Sequence, residues 1–239
     1  MSVKLFEVGG SIRDELLGIS VIPDRDFAAV CFGGWSEFSG WAHNKMDKVF
    51  QVKEDFFTIR GSLGGDVIDV VMCRKDGPTS DGRHPDMVEP GTLHEDLSRR
   101  DFTINAMARE VDENLQPCGD IIDPFEGRER CADGELRCVG SAEERFGEDG
   151  LRVIRAIRFS ITKGMHFDKE IASCLMDPRW AKHLRDTVAA NRIREELVKM
   201  FKHNTAQSIH SLASQLHGEF ITVLFQDTDL WLKPTNEKR

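Results

Sequence analysis

The most constraining feature of this sequence is a glycine motif near its N-terminus, VGGSIRDELLG at Val8 to Gly18. Apolar residues before the two glycines predict a strand, and the run after them predicts a short helix. Ser11 is placed to cap that helix and Gly18 to end it. A strand, a tight turn and a helix are therefore expected within a few residues of one another.

The same motif has the composition of an anion-binding turn. Gly9 and Gly10 let backbone N–H groups approach an anion closely, a helix N-terminus adds a favourable dipole, and Arg13 adds a full charge. This combination suits a triphosphate. The run lacks the elements of a P-loop or of a dinucleotide fingerprint, and a purely structural turn is the alternative interpretation.

An acidic motif follows, in which Asp24 and Asp26 are separated by one residue at the start of an apolar strand, Arg25 to Val30. Residues two apart on a strand point to the same face, so both carboxylates are expected to bind one pair of divalent cations. A polar turn is the alternative. Asp69, on a strand predicted at Asp66 to Met72, is a candidate third acid, although it can equally mark a sheet edge.

The rest of the chain divides by pattern into two parts. Short runs rich in β-formers predict strands before Gly140, whereas the chain after it has long stretches with almost no Gly or Pro and predicts helices. Asp76 to Pro90 is rich in Gly, Pro, Asp and Ser, which predicts a loop. The expected fold class is therefore α+β. The strands predicted in the first part are Lys4 to Val8, Arg25 to Val30 and Asp66 to Met72.

Composition narrows the functional classes. A net charge of −9 over 239 residues argues against a general nucleic-acid coat. The locally basic run Arg179 to Lys202 predicts phosphate binding or merely a solvated helix face. No apolar run approaches the roughly 20 residues of a membrane helix, and no signal-peptide pattern is present. Scattered cysteines without a C-x-x-C pair predict reduced thiols. We expect a soluble, cytoplasmic protein without a membrane partner.

The glycine motif followed by D-x-D resembles the active site of the DNA polymerase beta superfamily. More narrowly, it resembles the family of class II CCA-adding enzymes and bacterial poly(A) polymerases. Four further motifs similar to those of that family follow in the same order, with Glu126 where the family usually has Gly and Gly150 where Pro is common. These motifs are RRDFTINAMA at Arg99 to Ala108, DPFEG at Asp123 to Gly127, EDGLR at Glu148 to Arg152 and RIREEL at Arg192 to Leu197.

The resemblance implies a polymerase-beta-like nucleotidyltransferase head with a small mixed sheet (1–140), an all-helical neck (141–203) and a shortened helical body (204–239). It implies template-independent addition of C and A to tRNA, or to another RNA 3′ end, from CTP and ATP with two Mg²⁺ ions. The segment Asp81 to Asp86 resembles the loop that family members move when switching nucleotide, with a solvated turn as the alternative.

Other functions are compatible with the same motifs. One is restricted tailing with A alone or C alone, and another is a catalytically silent RNA-binding module, which would be expected to lack a metal carboxylate. Because family members usually continue into larger helical domains, the short chain suggests a minimal enzyme or a smaller RNA. It also suggests a compact genome, for example a viral one. The sequence leaves the oligomeric state open.

The resemblance also implies how the nucleotide is held. Arg100 offers a cation for phosphate and Asp101 an acceptor for ribose hydroxyls. Asp149 and Arg152, three apart on a predicted helix, are expected to share a face. There a carboxylate and a guanidinium match the Watson–Crick edges of C and A and mismatch those of U and G. A Glu148–Arg152 salt bridge without a ligand is the alternative. Further nucleotide contacts are implied for Ser11, Asn105, Arg155 and Arg158.

Overall fold

A computed structural model describes residues 3–19, 25–77 and 88–227 of the chain. The described chain forms two compact units, the first running to Asp133 and the second beginning at Gly134. The expected three-part division at residues 140 and 203 stays a prediction. Within the described ranges, no helix has both the length and the apolar composition that crossing a membrane requires.

A six-stranded mixed sheet forms the centre of the first unit. Its strand order is β3-β4-β5-β2-β1-β8, in which β2 and β5 are parallel and all other neighbours are antiparallel. Strands β6 and β7 pair separately. The small mixed sheet is thus confirmed. In chain order the strands are β1 (Lys4–Val8), β2 (Asp26–Val30), β3 (Lys48–Lys53), β4 (Thr58–Leu63), β5 (Asp66–Met72), β6 (Arg74–Asp76), β7 (Val88–Pro90) and β8 (Ala108–Glu110).

The two faces of this sheet have different roles because side chains alternate along each strand. Ile59, Val70 and Phe27 form one cross-strand row and are buried against Phe38 and its neighbours in helix α2. The opposite face carries the polar residues of the same strands. The helices of this unit are α1 (Gly10–Leu16), α2 (Gly34–Lys45), α3 (Leu93–Ser98) and α4 (Gly127–Asp133).

Two local expectations need correction. Ser11 does not cap α1: Gly9 occupies the N-cap position without a side-chain hydrogen bond, and Ser11 lies buried in the first helical turn. With Gly9 at the N-cap, the helix begins two residues earlier than it would with a Ser11 cap. The expected loop at Asp76 to Pro90 begins and ends in strands β6 and β7, while Asp81 to Asp86 lies outside the described residues. Gly18 does end α1, in a left-handed conformation (φ +68°).

The second unit is mainly helical, as expected. Helix α6 packs against α9, and both bury apolar faces that include Ile154, Ile157 and Leu197. A short parallel pair, β9 (Glu135–Leu136) with β10 (His166–Phe167), is its sheet element in the described residues. The helices are α5 (Ala142–Glu148), α6 (Leu151–Lys163), α7 (Lys169–Leu175), α8 (Pro178–Thr187), α9 (Ala190–His203), α10 (Thr205–Ser214) and α11 (Gly218–Thr222).

Candidate functional site

Two acidic residues meet on the polar face of the central sheet. Asp26 opens β2 and is in register with Asp69 on the parallel strand β5. Neighbouring strands lie about 4.8 Å apart and paired residues project from the same face, so the two carboxylates lie side by side. Arg60 on β4 continues this row and donates to Asp69 Oδ2 (3.1 Å).

The first acid of the D-x-D pair, Asp24, lies outside the described residues. Among the residues that the structure describes, no group of three or more His, Cys, Asp or Glu side chains is arranged to hold a metal ion. The structure therefore brings Asp26 and Asp69 together, and the complete set of carboxylates stays a prediction.

The glycine turn packs directly against the arginine-rich motif. Gly9 has a positive φ (+78°), and its N–H donates to the carbonyl of Met107 (3.1 Å). A Cβ at Gly9 would lie 2.8 Å from Arg100 Nη1, which itself donates to the carbonyl of Asn105 (3.2 Å). The backbone conformation therefore favours glycine at position 9, and the Arg100 guanidinium would have to shift to admit a side chain there.

Several predicted nucleotide-binding residues form one buried hydrogen-bonded chain. Arg13 donates from Nη1 to Asn105 Oδ1 (2.5 Å) and from Nε to Asp14 (2.8 Å). Asn105 in turn donates from Nδ2 to Asp101 Oδ1 (3.0 Å), which also accepts the N–H of Phe102 (2.8 Å). The glycine motif and the arginine-rich motif are thereby joined into one rigid cluster. Arg13 lies within that cluster and not on its surface.

A buried aspartate that the sequence did not single out holds the two arginines of this motif. Asp96, 1% exposed, accepts from Arg99 Nη2 (2.5 Å) through one oxygen and from Arg100 Nη2 (3.2 Å) through the other. Burial raises the pKa of Asp96, but the two guanidinium groups lower it by more than burial raises it, so the pKa lies below its ordinary value. The i,i+4 spacing of Asp96, on α3, and Arg100, just beyond its end, was the available sequence signal.

The residue between the two predicted metal carboxylates is anchored on the other side of the strand. Arg25 donates from Nε to Glu7 (2.8 Å) and from Nη2 to the carbonyl of Leu115 (2.7 Å). Glu7 is almost fully buried and also accepts from Arg109 (3.3 Å). Burial raises the pKa of Glu7, but the bonds and charges of Arg25, with further help from Arg109, hold it below its ordinary value.

We expect Glu7→Gln to lower the free energy of unfolding by about 2–3 kcal/mol, because it leaves two arginines facing an uncharged group in a largely buried site. Urea denaturation measures this loss. The matched control is Glu15→Gln, which removes the half-exposed partner of Arg109 (2.7 Å) and should cost less than about 1 kcal/mol. Equal losses for the two variants would contradict a special role of Glu7.

In the second unit, the expectation that Asp149 and Arg152 share one face of a helix is wrong. Asp149 has an extended conformation between α5 and α6, and its carboxylate accepts the N–H of Leu151 (2.9 Å) and a hydrogen bond from Arg192 (3.0 Å). Arg152 instead donates to Glu148 (2.7 Å), the pair expected in the alternative interpretation. The predicted continuous helix is interrupted here, so the i,i+3 geometry does not apply.

The two remaining predicted arginines surround a buried carboxylate. Arg158 donates from Nε to Glu196, which is 3% exposed and also accepts from Lys199 (3.0 Å). Burial raises the pKa of Glu196, but the charges of Arg158 and Arg155 bring it below its ordinary value. Glu196 thus positions the arginines around it, and Arg192 positions the Asp149 carboxylate. Both belong to the RIREEL motif, whose individual residues received no role from the sequence.

Comparison with known proteins decides the family. Residues 5–137, more than half of the chain, match the family model described as the Poly A polymerase head domain. The chain belongs to this family. One relative of this family member is the CCA-adding enzyme of Leuconostoc mesenteroides. The two are 36% identical over a region that covers 88% of this chain and 49% of the relative.

Solved structures resemble this family member over nearly its whole length. The Bacillus stearothermophilus CCA-adding enzyme in complex with CTP is 28% identical with a TM-score of 0.74, covering 97% of this chain and 53% of that one. The Thermotoga maritima CCA-adding enzyme complexed with tRNA is 28% identical with a TM-score of 0.72, covering 93% and 48%. The predicted polymerase-beta-like head is confirmed. The chain spans about half the length of the relatives it matches.

Two positions depart from the family pattern, and the structure gives a physical account of each. A Cβ at Gly150 would lie 2.7 Å from Thr187 Oγ1 at the end of α8, so a proline there would collide with α8. Glu126 adopts a left-handed conformation (φ +62°), which favours glycine. It stands in a turn that Asp123 stabilises by accepting the N–H groups of Gly127 (2.7 Å) and Arg128 (2.9 Å).

We expect Glu126→Gly to raise the free energy of unfolding of this family member by about 1 kcal/mol, because the strain of a side chain in the left-handed region is removed. The lost contact with Arg130 (3.4 Å) is exposed on the Glu126 side and is worth little. Thermal unfolding measures the change. Glu129→Gly, a helical position in α4, should be destabilising, and a fall in stability for both variants would contradict the strain argument.

Proposed function

We propose that this protein is a template-independent RNA nucleotidyltransferase that adds the CCA sequence to tRNA 3′ ends from CTP and ATP. The observation that carries the proposal is the in-register pair Asp26 and Asp69 in the same unit as the buried Gly9–Arg100–Asn105 cluster, in a chain of the poly(A) polymerase family. Relatives named CCA-adding enzymes, one bound to CTP and one to tRNA, support the substrates.

The acidic row fits a pair of magnesium ions. Asp26 and Asp69 present hard oxygen donors from adjacent strands on an exposed face, and Asp24 is expected to complete the set. Two Mg²⁺ ions bound there would lower the pKa of the attacking RNA 3′-hydroxyl and stabilise the leaving pyrophosphate. In the reaction, the 3′-oxygen forms a bond to the α-phosphorus of the nucleotide, and the bond from that phosphorus to the pyrophosphate oxygen breaks.

The chain's own residues bind and orient the nucleotide. The N–H groups of Gly10 and Ser11 at the start of α1, together with Arg100, are proposed to bind the triphosphate, and Asp101 the ribose. The cluster of Arg13 and Asn105 keeps these groups in place, so little reorganisation is needed when the substrate binds.

Base choice is proposed to reside in the second unit. Asp149 accepts from the amino group of C or A, and Arg152 donates to the ring nitrogen beside it, whereas U and G present the opposite polarity. Arg192 orients the Asp149 carboxylate, and Glu148 orients the Arg152 guanidinium. Arg155 and Arg158, held around Glu196, are proposed as further nucleotide-binding residues.

An end-sequencing assay tests this function. The protein is incubated with Mg²⁺, a tRNA transcript that lacks CCA, and each nucleoside triphosphate singly and together. The expected product ends in CCA when CTP and ATP are both present, with addition of C from CTP alone and none from UTP or GTP. A tail of A alone, or of C alone under all conditions, would replace this proposal with restricted tailing. An unchanged RNA would refute nucleotidyl transfer.

A further inference from the structure

An exposed aromatic residue lies beside basic residues on the edge strand of the central sheet. Phe50 on edge strand β3 is 47% exposed, and the Lys48 Nζ lies 5.7 Å from its ring centroid. A bulge between Val49 and Gln51 brings Phe50 out of the regular alternation of the strand. We name this surface the β3–β4 face. It comprises Lys48, Phe50, Gln51, Lys53 and Arg60.

The β3–β4 face is continuous with the proposed metal site. Strand register places Asp26, Asp69, Arg60 and Gln51 in one row across four neighbouring strands. With about 4.8 Å between strands, the row extends about 14 Å from Asp26 to Gln51. Lys48 pairs with Ser62, and Ser62 shares the face of Arg60 because the two are two residues apart on β4. If the terminal hydroxyl of an RNA lies at the acids, the nucleotides that immediately precede it can therefore reach this face.

The chemistry of this face matches single-stranded RNA. A nucleotide has an aromatic base that stacks on a phenylalanine ring and a phosphate that binds lysine or arginine. Lys48, Lys53 and Arg60 are exposed, and the guanidinium of Arg60 has further N–H donors besides the one bound to Asp69. Three exposed cations on the two strands that flank one exposed ring complement a chain of phosphates far better than they complement an apolar partner.

We propose that the β3–β4 face binds the single-stranded 3′ end of the acceptor RNA, with a base stacked on Phe50 and phosphates beside Lys48, Lys53 and Arg60. This inference rests on the proposed function, since it places the RNA whose terminal hydroxyl reacts at the acids. It also accounts for an aromatic side chain kept exposed on an edge strand, where such residues promote unwanted strand pairing.

Fluorescence anisotropy of the full chain with a labelled RNA stem-loop that ends in a single-stranded 3′ tail tests the proposal, without nucleotide and across a salt series. Phe50→Ala should weaken binding about tenfold, the loss expected for one stacked base, while Phe50→Trp should bind within a few-fold of the wild type. The double variant Lys48→Gln/Lys53→Gln should reduce the slope of log affinity against log salt by about 1.4, for two lost phosphate contacts.

The matched control is Phe32→Ala. Phe32 is 91% exposed and follows the opposite end of β2 from Asp26, so its loss should leave RNA binding unchanged. The proposal is overturned if Phe50→Ala binds within twofold of the wild type, if Phe32→Ala weakens binding equally, or if the wild type binds no RNA. Binding that depends on Phe50 in a protein that adds no nucleotide would refute the proposed function and leave this surface standing.

Discussion

Replacing Asp26 with asparagine is expected to lower nucleotide transfer at least about a thousandfold and to leave the fold intact. The side chain is exposed at the start of β2, so the nearly isosteric change disturbs no core packing. The lost carboxylate is a proposed ligand of both catalytic cations, and its removal is expected to raise the barrier by several kcal/mol, at 1.36 kcal/mol for each tenfold. Asp24→Asn is expected to behave in the same way.

Single-turnover incorporation from labelled CTP, measured over a Mg²⁺ titration, provides the test. The matched control is Asp66→Asn, which should keep wild-type rates. Asp66 is an exposed acid at the start of β5, but it is in register with Leu63 and lies outside the row of Asp26. If Asp69 is a metal ligand, Asp69→Asn should lower activity and shift the Mg²⁺ dependence to higher concentrations. Near wild-type turnover for Asp26→Asn would show that the metal assignment is wrong.

The elements that sequence predicted best are those whose pattern is local. Lys4–Val8 and Asp66–Met72 were predicted with the observed bounds because contiguous β-formers occupy central strands. Strand β3, with the sequence KVFQVK, was not predicted, because it is an exposed edge whose pairing with β4 is irregular. Its surface became informative only when register placed it beside Asp69.

The site itself was predicted in composition and only partly in geometry. The motifs identified Arg13, Arg100 and Asn105, but only the fold shows that Arg13 is buried and supports Asn105. The extended residue that separates α5 from α6, Asp149, is bound by Arg192, which is distant in sequence, so no local rule foresees this contact. Residues that position others are hard to predict for the same reason, since their partners become neighbours only after folding.

The loss of Asp149 or Arg152 is expected to reduce base discrimination about ten- to a hundredfold. A hydrogen bond to a charged partner in a closed site is worth about 1.5–3 kcal/mol, and with one partner gone the wrong bases face one mismatched contact instead of two. Single-nucleotide incorporation with all four triphosphates measures the change for Asp149→Ala and Arg152→Ala. UTP or GTP should then compete with CTP and ATP, at a lower overall rate.

The observed ion pairs give this prediction a sharp control. Glu148 accepts from both Arg152 (2.7 Å) and Arg145 (2.7 Å), so Arg145→Ala disturbs the same carboxylate without removing a proposed base-reading group. We expect Arg145→Ala to keep its selectivity and Arg152→Ala to lose it. Because Arg192 orients Asp149 (3.0 Å), Arg192→Ala should lower selectivity less than Asp149→Ala does. A normal rate and normal selectivity for Arg152→Ala would show that the Arg152–Glu148 contact is a structural ion pair without a role in base choice.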